Sequence, residues 1–202
     1  MAIKVYRGDI ATLDLGPVVA VDTEAMGLKP HRDRLCLVQL SAGDGNAHLV
    51  QFDQSGYDAP RLKALLEDRS IVKIFHYARF DVAVLKAHLG ADVGPLFCTK
   101  IASKLVRTYT DRHGLKDLVR DMLGVDVSKQ QQSSDWGTPV LSDAQKQYAA
   151  HDVVYLHELK ARLEQMLKRE GREALAQACF AFLSVRAALD LGGWAEEDIF
   201  AH

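Results

Sequence analysis

The sequence predicts an α/β fold, and three observations indicate it. Short apolar runs rich in β-branched residues, typical of buried strands, occupy the first part of the chain. Segments with apolar residues at helical spacing alternate with these runs as far as about residue 89. From Pro95 onward the pattern is helical to the end of the chain.

Four strands are predicted. Residues 18–21 form a β-branched run that starts after a Gly-Pro pair and ends at polar residues. The runs at 35–40 and 48–52 are separated by a turn segment rich in Gly, Asp and Asn, and they therefore predict a β-hairpin. Residues 71–75 have the pattern of a further buried strand.

Apolar spacing predicts two helices among these strands, at residues 60–67 and about 80–89. Four further helices are predicted after Pro95, at residues 99–106, 115–123, 142–169 and 173–189. Ser142 is a good start signal, because its side chain can cap the free amide groups of a first turn. The polar loops at 109–114 and 128–139 interrupt the helices, and the second is longer than most loops in compact domains.

Length and composition favour a globular chain. The 202 residues are 48% hydrophobic and 26% charged, without repeat, low-complexity tract or evident linker. We expect a single domain over residues 1–202, with residues 171–202 as a C-terminal helical extension. The net charge of −2 argues against a global positive field, so any nucleic-acid site must be a local patch.

Cysteine usage and hydropathy predict where the chain resides. The three cysteines are widely spaced among apolar residues, which predicts buried, reduced thiols and no zinc site: Cys36, Cys98 and Cys179. No stretch is expected to approach the roughly 20 apolar residues of a membrane span. We therefore expect a soluble, cytoplasmic protein with no membrane partner.

Acidic residues recur near the ends of predicted elements. Asp22 and Glu24 stand two positions apart at a strand end, so both side chains point to one face of the sheet. Asp81 lies near the start of the helix after the fourth strand. Tyr148 and Asp152 are four positions apart in a helix and share a face. Each alone has an ordinary explanation: a solvated strand end, a charge near a helix N-terminus, or a core tyrosine.

Together the four acids predict a metal-dependent site. Carboxylates gathered at one sheet end cannot all stay ionised without cations, and all-oxygen ligands suit Mg²⁺ or Mn²⁺. Two such ions can activate a water and stabilise the leaving oxygen of a phosphoryl displacement. This pattern indicates nuclease chemistry.

Three sequence blocks resemble a known family. They read Val-Asp-Thr-Glu at 21–24, His-Tyr-Ala-Arg-Phe-Asp at 76–81 and Tyr-Ala-Ala-His-Asp at 148–152. They resemble the DEDD 3'-5' exonuclease superfamily, in the tyrosine subclass that includes ribonuclease D. The resemblance implies a ribonuclease-H-like exonuclease domain, a mixed sheet flanked by helices, in which Tyr148 orients the attacking water. It also implies four ligands for two divalent ions: Asp22, Glu24, Asp81 and Asp152.

Further runs are similar to the short bacterial enzymes of the nanoRNase C family. These runs lie at residues 30–36, 98–105, 107–116, 128–136 and 198–202. The sequence ends about thirty residues after its predicted long helix, so we expect no additional helical domains like those of ribonuclease D, which weakens a tRNA-processing interpretation. The similarity implies a 3'-5' exoribonuclease that cleaves very short RNA, dinucleotides above all, as a homo-octameric ring.

Several residues are candidates for substrate binding. Residues 100–120 carry a local excess of four positive charges, explained either by a phosphate site or by a solvated helix face. Within it, Arg107, Tyr109 and Arg112 are predicted to cap a substrate 5' phosphate. By similarity to oligoribonuclease, Leu28 is a candidate wedge between bases, with ordinary apolar packing as the alternative. The remaining candidates are Thr23, His76, Tyr77, Lys129 and Trp136, the last of which is alternatively a hydrophobic plug.

Two rival functions remain open. One is a general 3'-5' exonuclease acting on longer RNA or DNA, which the near-neutral charge disfavours. The other is an inactive exonuclease fold that binds nucleic acid or a partner. An inactive fold would be expected to lack one of the metal-binding carboxylates. All four carboxylates are present, which disfavours this alternative.

Overall fold

The computed structural model describes residues 1–127 and 130–202, and within them six strands form one mixed sheet. The strands are β1 (Ile3–Arg7), β2 (Val18–Ala25), β3 (Leu35–Ser41), β4 (Ala47–Gln51), β5 (Val72–Phe75) and β6 (Leu96–Cys98). Their order is β1-β4-β3-β2-β5-β6. β3 pairs antiparallel with β2 and β4, while the other neighbours are parallel. The mixed sheet confirms the predicted fold class and the hairpin.

Helices flank this sheet. They are α1 (Pro60–Glu67), α2 (Ala78–Leu89), α3 (Thr99–Val106), α4 (Leu115–Leu118), a π-helical turn (Val119–Leu123), α5 (Asp143–Val154), α6 (Leu156–Arg169) and α7 (Glu173–Leu191). β3 is buried at every position, which explains why its sequence is almost continuously apolar. α5 packs on β2, β3 and β4 and so lies beside the strand that carries the first two acids.

The start of α5 is fixed by a capping box. The Ser142 hydroxyl accepts a hydrogen bond from the Gln145 amide at 3.2 Å, and the Gln145 side chain accepts one from the Ser142 amide at 3.0 Å. Gln145 Nε2 also donates to the Asp135 carbonyl at 3.0 Å. The predicted helix start is confirmed, and the same residue ties the preceding polar loop to the helix.

Some elements of the structure differ from the sequence predictions. β1 was not expected, because a short edge strand with exposed positions lacks the apolar run of a buried strand. β6 was not expected either, because it has three residues directly before α3. The helix predicted over 142–169 is two helices, α5 and α6, which meet at Tyr155.

The C-terminal helix α7 corrects the expectation about apolar length. This 19-residue helix contains an 18-residue window with a mean hydropathy of 1.4, so by length and composition alone it could cross a membrane. The core helix of a soluble protein can have the same length and composition. α7 packs against α2, and its Asp190 pairs with Arg79 of α2 at 2.7 Å. Cys36 and Cys98 are buried as expected, whereas Cys179 on α7 is half-buried.

Candidate active site

Three carboxylates meet at the junction of β2 and α5. β2 supplies Asp22 and Glu24, and α5 supplies Asp152. One carboxylate oxygen of each lies within 4.8 Å of those of the other two. The Gln39 amide of β3 donates to Asp22 at 3.2 Å, which orients that carboxylate. The two-residue spacing in the strand and the packing of α5 thus bring acids 130 positions apart in the chain together.

Asp81 of α2 lies in the wall of the same cavity but outside this group of three. Its side chain is buried, and its Oδ1 accepts a hydrogen bond from Thr23 Oγ1 at 2.7 Å. Thr23 therefore links the strand of Asp22 and Glu24 to the helix of Asp81. The structure places all four predicted acids around one cavity.

The acids repel one another in a partly dehydrated site. Burial raises the pKa of Asp22 well above its usual range, and the charges of the three other acids raise it further. Burial, with the charge of Asp152, raises the pKa of Glu24 to about 9. Burial also raises the pKa values of Asp81 and Asp152 to about 7, against the lowering effect of hydrogen bonds from Thr23 and Tyr148. Such an all-oxygen, proton-retaining group is suited to hard divalent cations.

Tyr148 stands one helical turn before Asp152 and donates a hydrogen bond to its carboxylate. Burial raises the pKa of the Tyr148 hydroxyl, as do the charges of Asp152 and Glu24. The phenol therefore keeps its proton as a donor. Trp136 packs against the Tyr148 ring with centroids 6.0 Å apart.

These side chains border an open cavity of about 370 Å³. It is lined by Asp22, Thr23, Glu24, His76, Tyr77, Phe80, Asp81, Lys100, Gly114, Leu115, Lys116, Val127, Gln132, Tyr148, His151 and Asp152. Among the predicted substrate contacts, Thr23, His76 and Tyr77 lie in this wall. The wall combines carboxylates with cations and aromatic rings, as a site for a short nucleic acid requires.

Tyr77 has an unusual backbone at the junction of β5 and α2. Its φ of 68° and ψ of 44° are left-handed, which is costly for a tyrosine and typical of functional sites. Its ring is partly exposed, with Lys100 Nζ lying 4.1 Å from the ring centroid. Next to it, His76 Nδ1 lies 2.9 Å from the Thr99 hydroxyl, which donates to the Phe75 carbonyl at 3.1 Å. Both aromatic side chains are thus held in the cavity wall.

The loop after α3 corrects one expectation. Arg107 is 3% exposed, and its guanidinium donates to the Arg112 carbonyl at 2.8 Å and to Asp121 at 2.7 Å. It is therefore not available to cap a phosphate; it holds the loop together. Tyr109 and Arg112 are exposed on this loop, but neither lines the cavity.

Two further candidates lie outside the cavity wall. Trp136 is 2% exposed behind Tyr148, so the plug interpretation describes it and direct substrate contact does not. Leu28 does not line the cavity either, but it is 84% exposed, which argues against ordinary apolar packing. Lys129 lies outside the described residues.

Sequence reasoning missed four polar residues of the wall: Lys100, Lys116, Gln132 and His151. The two lysines were counted in the basic stretch without being singled out. His151 stands inside the Tyr-Ala-Ala-His-Asp block, directly before a predicted ligand. The position of His151 inside this block could have identified it as a site residue. Nothing in the sequence distinguishes Lys100 and Lys116 from their basic neighbours.

Known proteins share this fold and part of this sequence. A 3'-5' exonuclease family model matches residues 9–168. Ribonuclease D of Gluconacetobacter diazotrophicus is 36% identical over 82% of this chain, which spans 42% of that relative's length. Among solved structures, Brucella melitensis NrnC with bound Mg²⁺ is 57% identical, with a TM-score of 0.96 and full coverage of both chains. Brucella melitensis NrnC bound to pGG is 58% identical, with a TM-score of 0.97, covering 100% of this chain and 99% of that one.

Proposed function

Because the chain belongs to the 3'-5' exonuclease family, we propose that it is a 3'-5' exoribonuclease that hydrolyses very short RNA, above all 5'-phosphorylated dinucleotides, to mononucleotides. The observation that carries this proposal is the convergence of Asp22, Glu24 and Asp152 within 4.8 Å in a cavity shared with Asp81 and Tyr148. The similarity to a structure bound to pGG supports the choice of substrate.

Two divalent ions, Mg²⁺ or Mn²⁺, are the proposed cofactors. The donor set fits them, because carboxylate oxygens converge and the raised pKa values show how poorly these acids share negative charge without a cation. A related structure also contains Mg²⁺. The ligands would be Asp22, Glu24, Asp81 and Asp152. Bound ions supply an activated water and neutralise charge on the phosphoryl oxygens.

The chain's own residues then have distinct tasks. The Tyr148 hydroxyl, kept protonated beside Asp152, orients the attacking water. The water forms a new bond to phosphorus, the bond to the 3' oxygen breaks, and a 5'-mononucleotide and a 3'-hydroxyl result. Lys100 and Lys116 in the wall attract the phosphodiester, and the exposed Tyr77 ring offers a face on which a base can stack.

Turnover of pGG with and without a divalent ion tests this proposal. We expect release of GMP in Mg²⁺ or Mn²⁺ and none in excess chelator, with activity restored when the ion is returned. A 3'-phosphorylated substrate should resist cleavage if the reaction starts at the 3' hydroxyl end. Equal turnover in chelator, or no hydrolysis of any RNA in either ion, would contradict the proposal.

Arg112 is the remaining arginine of the loop predicted to cap the substrate 5' phosphate. Its side chain is exposed on the 109–114 loop, and the Arg112 carbonyl is fixed by Arg107. We expect the wild type to bind pGG about tenfold more tightly than unphosphorylated GG, as a charge-assisted contact would provide. Arg112→Ala should erase most of that difference in KM, whereas Arg61→Ala, at an exposed arginine on α1, should leave it intact. A preserved phosphate preference in Arg112→Ala would remove this residue from the proposal.

We also infer self-association, in the homo-octameric ring that the resemblance implies. The family match ends at residue 168, so residues 171–202 act in this proposal as a helical extension. That extension presents large exposed apolar side chains: Leu175, Phe182, Val185, Trp194, Ile199 and Phe200. We expect a second copy of the chain to bury these side chains. Light scattering should give the mass of eight chains; a monomer mass would contradict this inference.

A further inference from the structure

Gln39 lies opposite Asp22 in the pairing of β2 with β3. In this antiparallel register Asp22 faces Gln39, and Glu24 faces Leu37. Side chains directly opposite each other lie on the same face of a sheet, with Cβ atoms about 4.5–5.5 Å apart. Of the two β3 side chains, Gln39 is the polar one, and its Nε2 donates to Asp22 Oδ2 at 3.2 Å. Gln39 does not itself line the cavity, so its contact with the site is through Asp22.

The second polar atom of Gln39 is buried without a partner. The residue is fully buried, and its Oε1 has no hydrogen-bond partner within residues 1–127 and 130–202. A buried acceptor in this state lowers the stability of the folded protein. The neighbouring positions in the strand hold Val38 and Leu40, which are also fully buried. An apolar side chain would therefore suit position 39 as well or better, and the amide's contact with Asp22 is what the glutamine adds.

A second buried glutamine provides a comparison. Gln51 of β4 is almost fully buried, and its Oε1 likewise has no partner in the part of the chain that the structure describes. Its Nε2, however, donates to the Thr138 carbonyl at 2.8 Å. The two glutamines thus share the unsatisfied oxygen and differ in what the amide holds, which is a carboxylate of the site for Gln39 and a loop carbonyl for Gln51.

We propose that Gln39 is a positioning residue that raises the affinity of the site for divalent cations by holding the Asp22 carboxylate, at the expense of stability. The inference rests on the proposed function, in which Asp22 is a metal ligand. A ligand that is already oriented loses less rotational freedom when the cation binds. Residues that hydrogen-bond to metal ligands typically change metal affinity by about 10- to 100-fold when they are replaced.

The first test is Mn²⁺ binding to the protein without substrate, followed by electron paramagnetic resonance of the free ion. Gln39→Met keeps an unbranched side chain and removes both polar atoms, so the Mn²⁺ affinity should fall about tenfold. Gln51→Met makes the same change on β4 and should bind Mn²⁺ like the wild type. Gln39→Asn ends one methylene earlier and should also weaken binding, which tests the proposal even if Gln39→Met does not fold.

Stability and turnover separate this role from a merely structural one. The metal-free melting temperature of Gln39→Met should be no lower than that of the wild type. The unsatisfied Oε1 is gone, and Asp22 is only half-buried beside an open cavity, where water can replace the lost donor. The Mg²⁺ concentration for half-maximal turnover of pGG should rise about tenfold, with kcat in saturating Mg²⁺ close to the wild-type value.

Several outcomes would overturn the inference. Unchanged Mn²⁺ affinity in folded Gln39→Met would show that the amide does not tune the site. A lower melting temperature, with a loss of kcat that Mg²⁺ does not restore, would mean that Gln39 only supports the structure. Equal weakening in Gln51→Met would show that the contact with Asp22 is not the cause. If the wild type itself bound no Mn²⁺, the proposed function would be refuted instead.

Discussion

Asp81→Ala is expected to lose metal-dependent hydrolysis of pGG by about a thousandfold while the protein stays folded. Asp81 is buried in the cavity wall and is oriented by Thr23 at 2.7 Å, so the substitution would remove one of the four proposed metal ligands. Steady-state turnover in saturating Mg²⁺ measures the loss. A folded Asp81→Ala protein with near-normal metal-dependent activity would refute the assignment.

The folding control for this variant follows from the pKa of Asp81. Burial raises that pKa from 3.8 to about 7 in the folded protein. A raised folded-state pKa means that stability is present at low pH and is lost as the pH rises from about 4 through about 7. Removing the acid removes this pH-dependent loss of stability. At pH 8 and without metal, the melting temperature of Asp81→Ala should therefore be no lower than that of the wild type. Asp81→Asn, which keeps the side-chain volume, should also lose metal-dependent turnover and should also melt no lower than the wild type at pH 8.

Tyr148→Phe should lower kcat about a hundredfold and leave KM for pGG nearly unchanged. The variant removes the hydroxyl that donates to Asp152, while the ring can still pack against Trp136. Tyr155→Phe is the matched control, because Tyr155 lies between α5 and α6 and does not line the cavity. A raised KM with unchanged kcat would make Tyr148 a binding residue instead.

The site was predictable where its residues share one element. Asp22 and Glu24 alternate along one strand, and Tyr148 and Asp152 lie one turn apart on one helix, so local geometry places each pair. That the two pairs meet depends on α5 packing against β2, which the sequence shows only through the family resemblance. The hydrogen bond from Thr23 to Asp81 crosses between two elements and leaves no local signal.

The errors have a common physical cause. A count of positive charges cannot distinguish an exposed arginine from a buried one such as Arg107, which pairs with Asp121 fourteen positions away. Likewise, composition does not show that Trp136 packs behind Tyr148 and does not line the cavity. The left-handed backbone of Tyr77 is set by the junction of β5 and α2, not by its residue type. Local patterns thus identify elements, while burial and pairing depend on tertiary packing.

Chain-length preference is the most direct test of the central claim that the substrate is very short RNA. A long RNA gains affinity from many phosphate contacts along a basic surface, whereas this chain has a net charge of −2 and a cavity of about 370 Å³. The measurement is kcat/KM per bond for 5'-phosphorylated RNA of two to ten residues, in Mg²⁺ and at equal concentration. We predict the highest value for the dinucleotide and a steep decline with length. Equal or faster turnover of the ten-residue RNA would contradict the account and favour a general 3'-5' exonuclease.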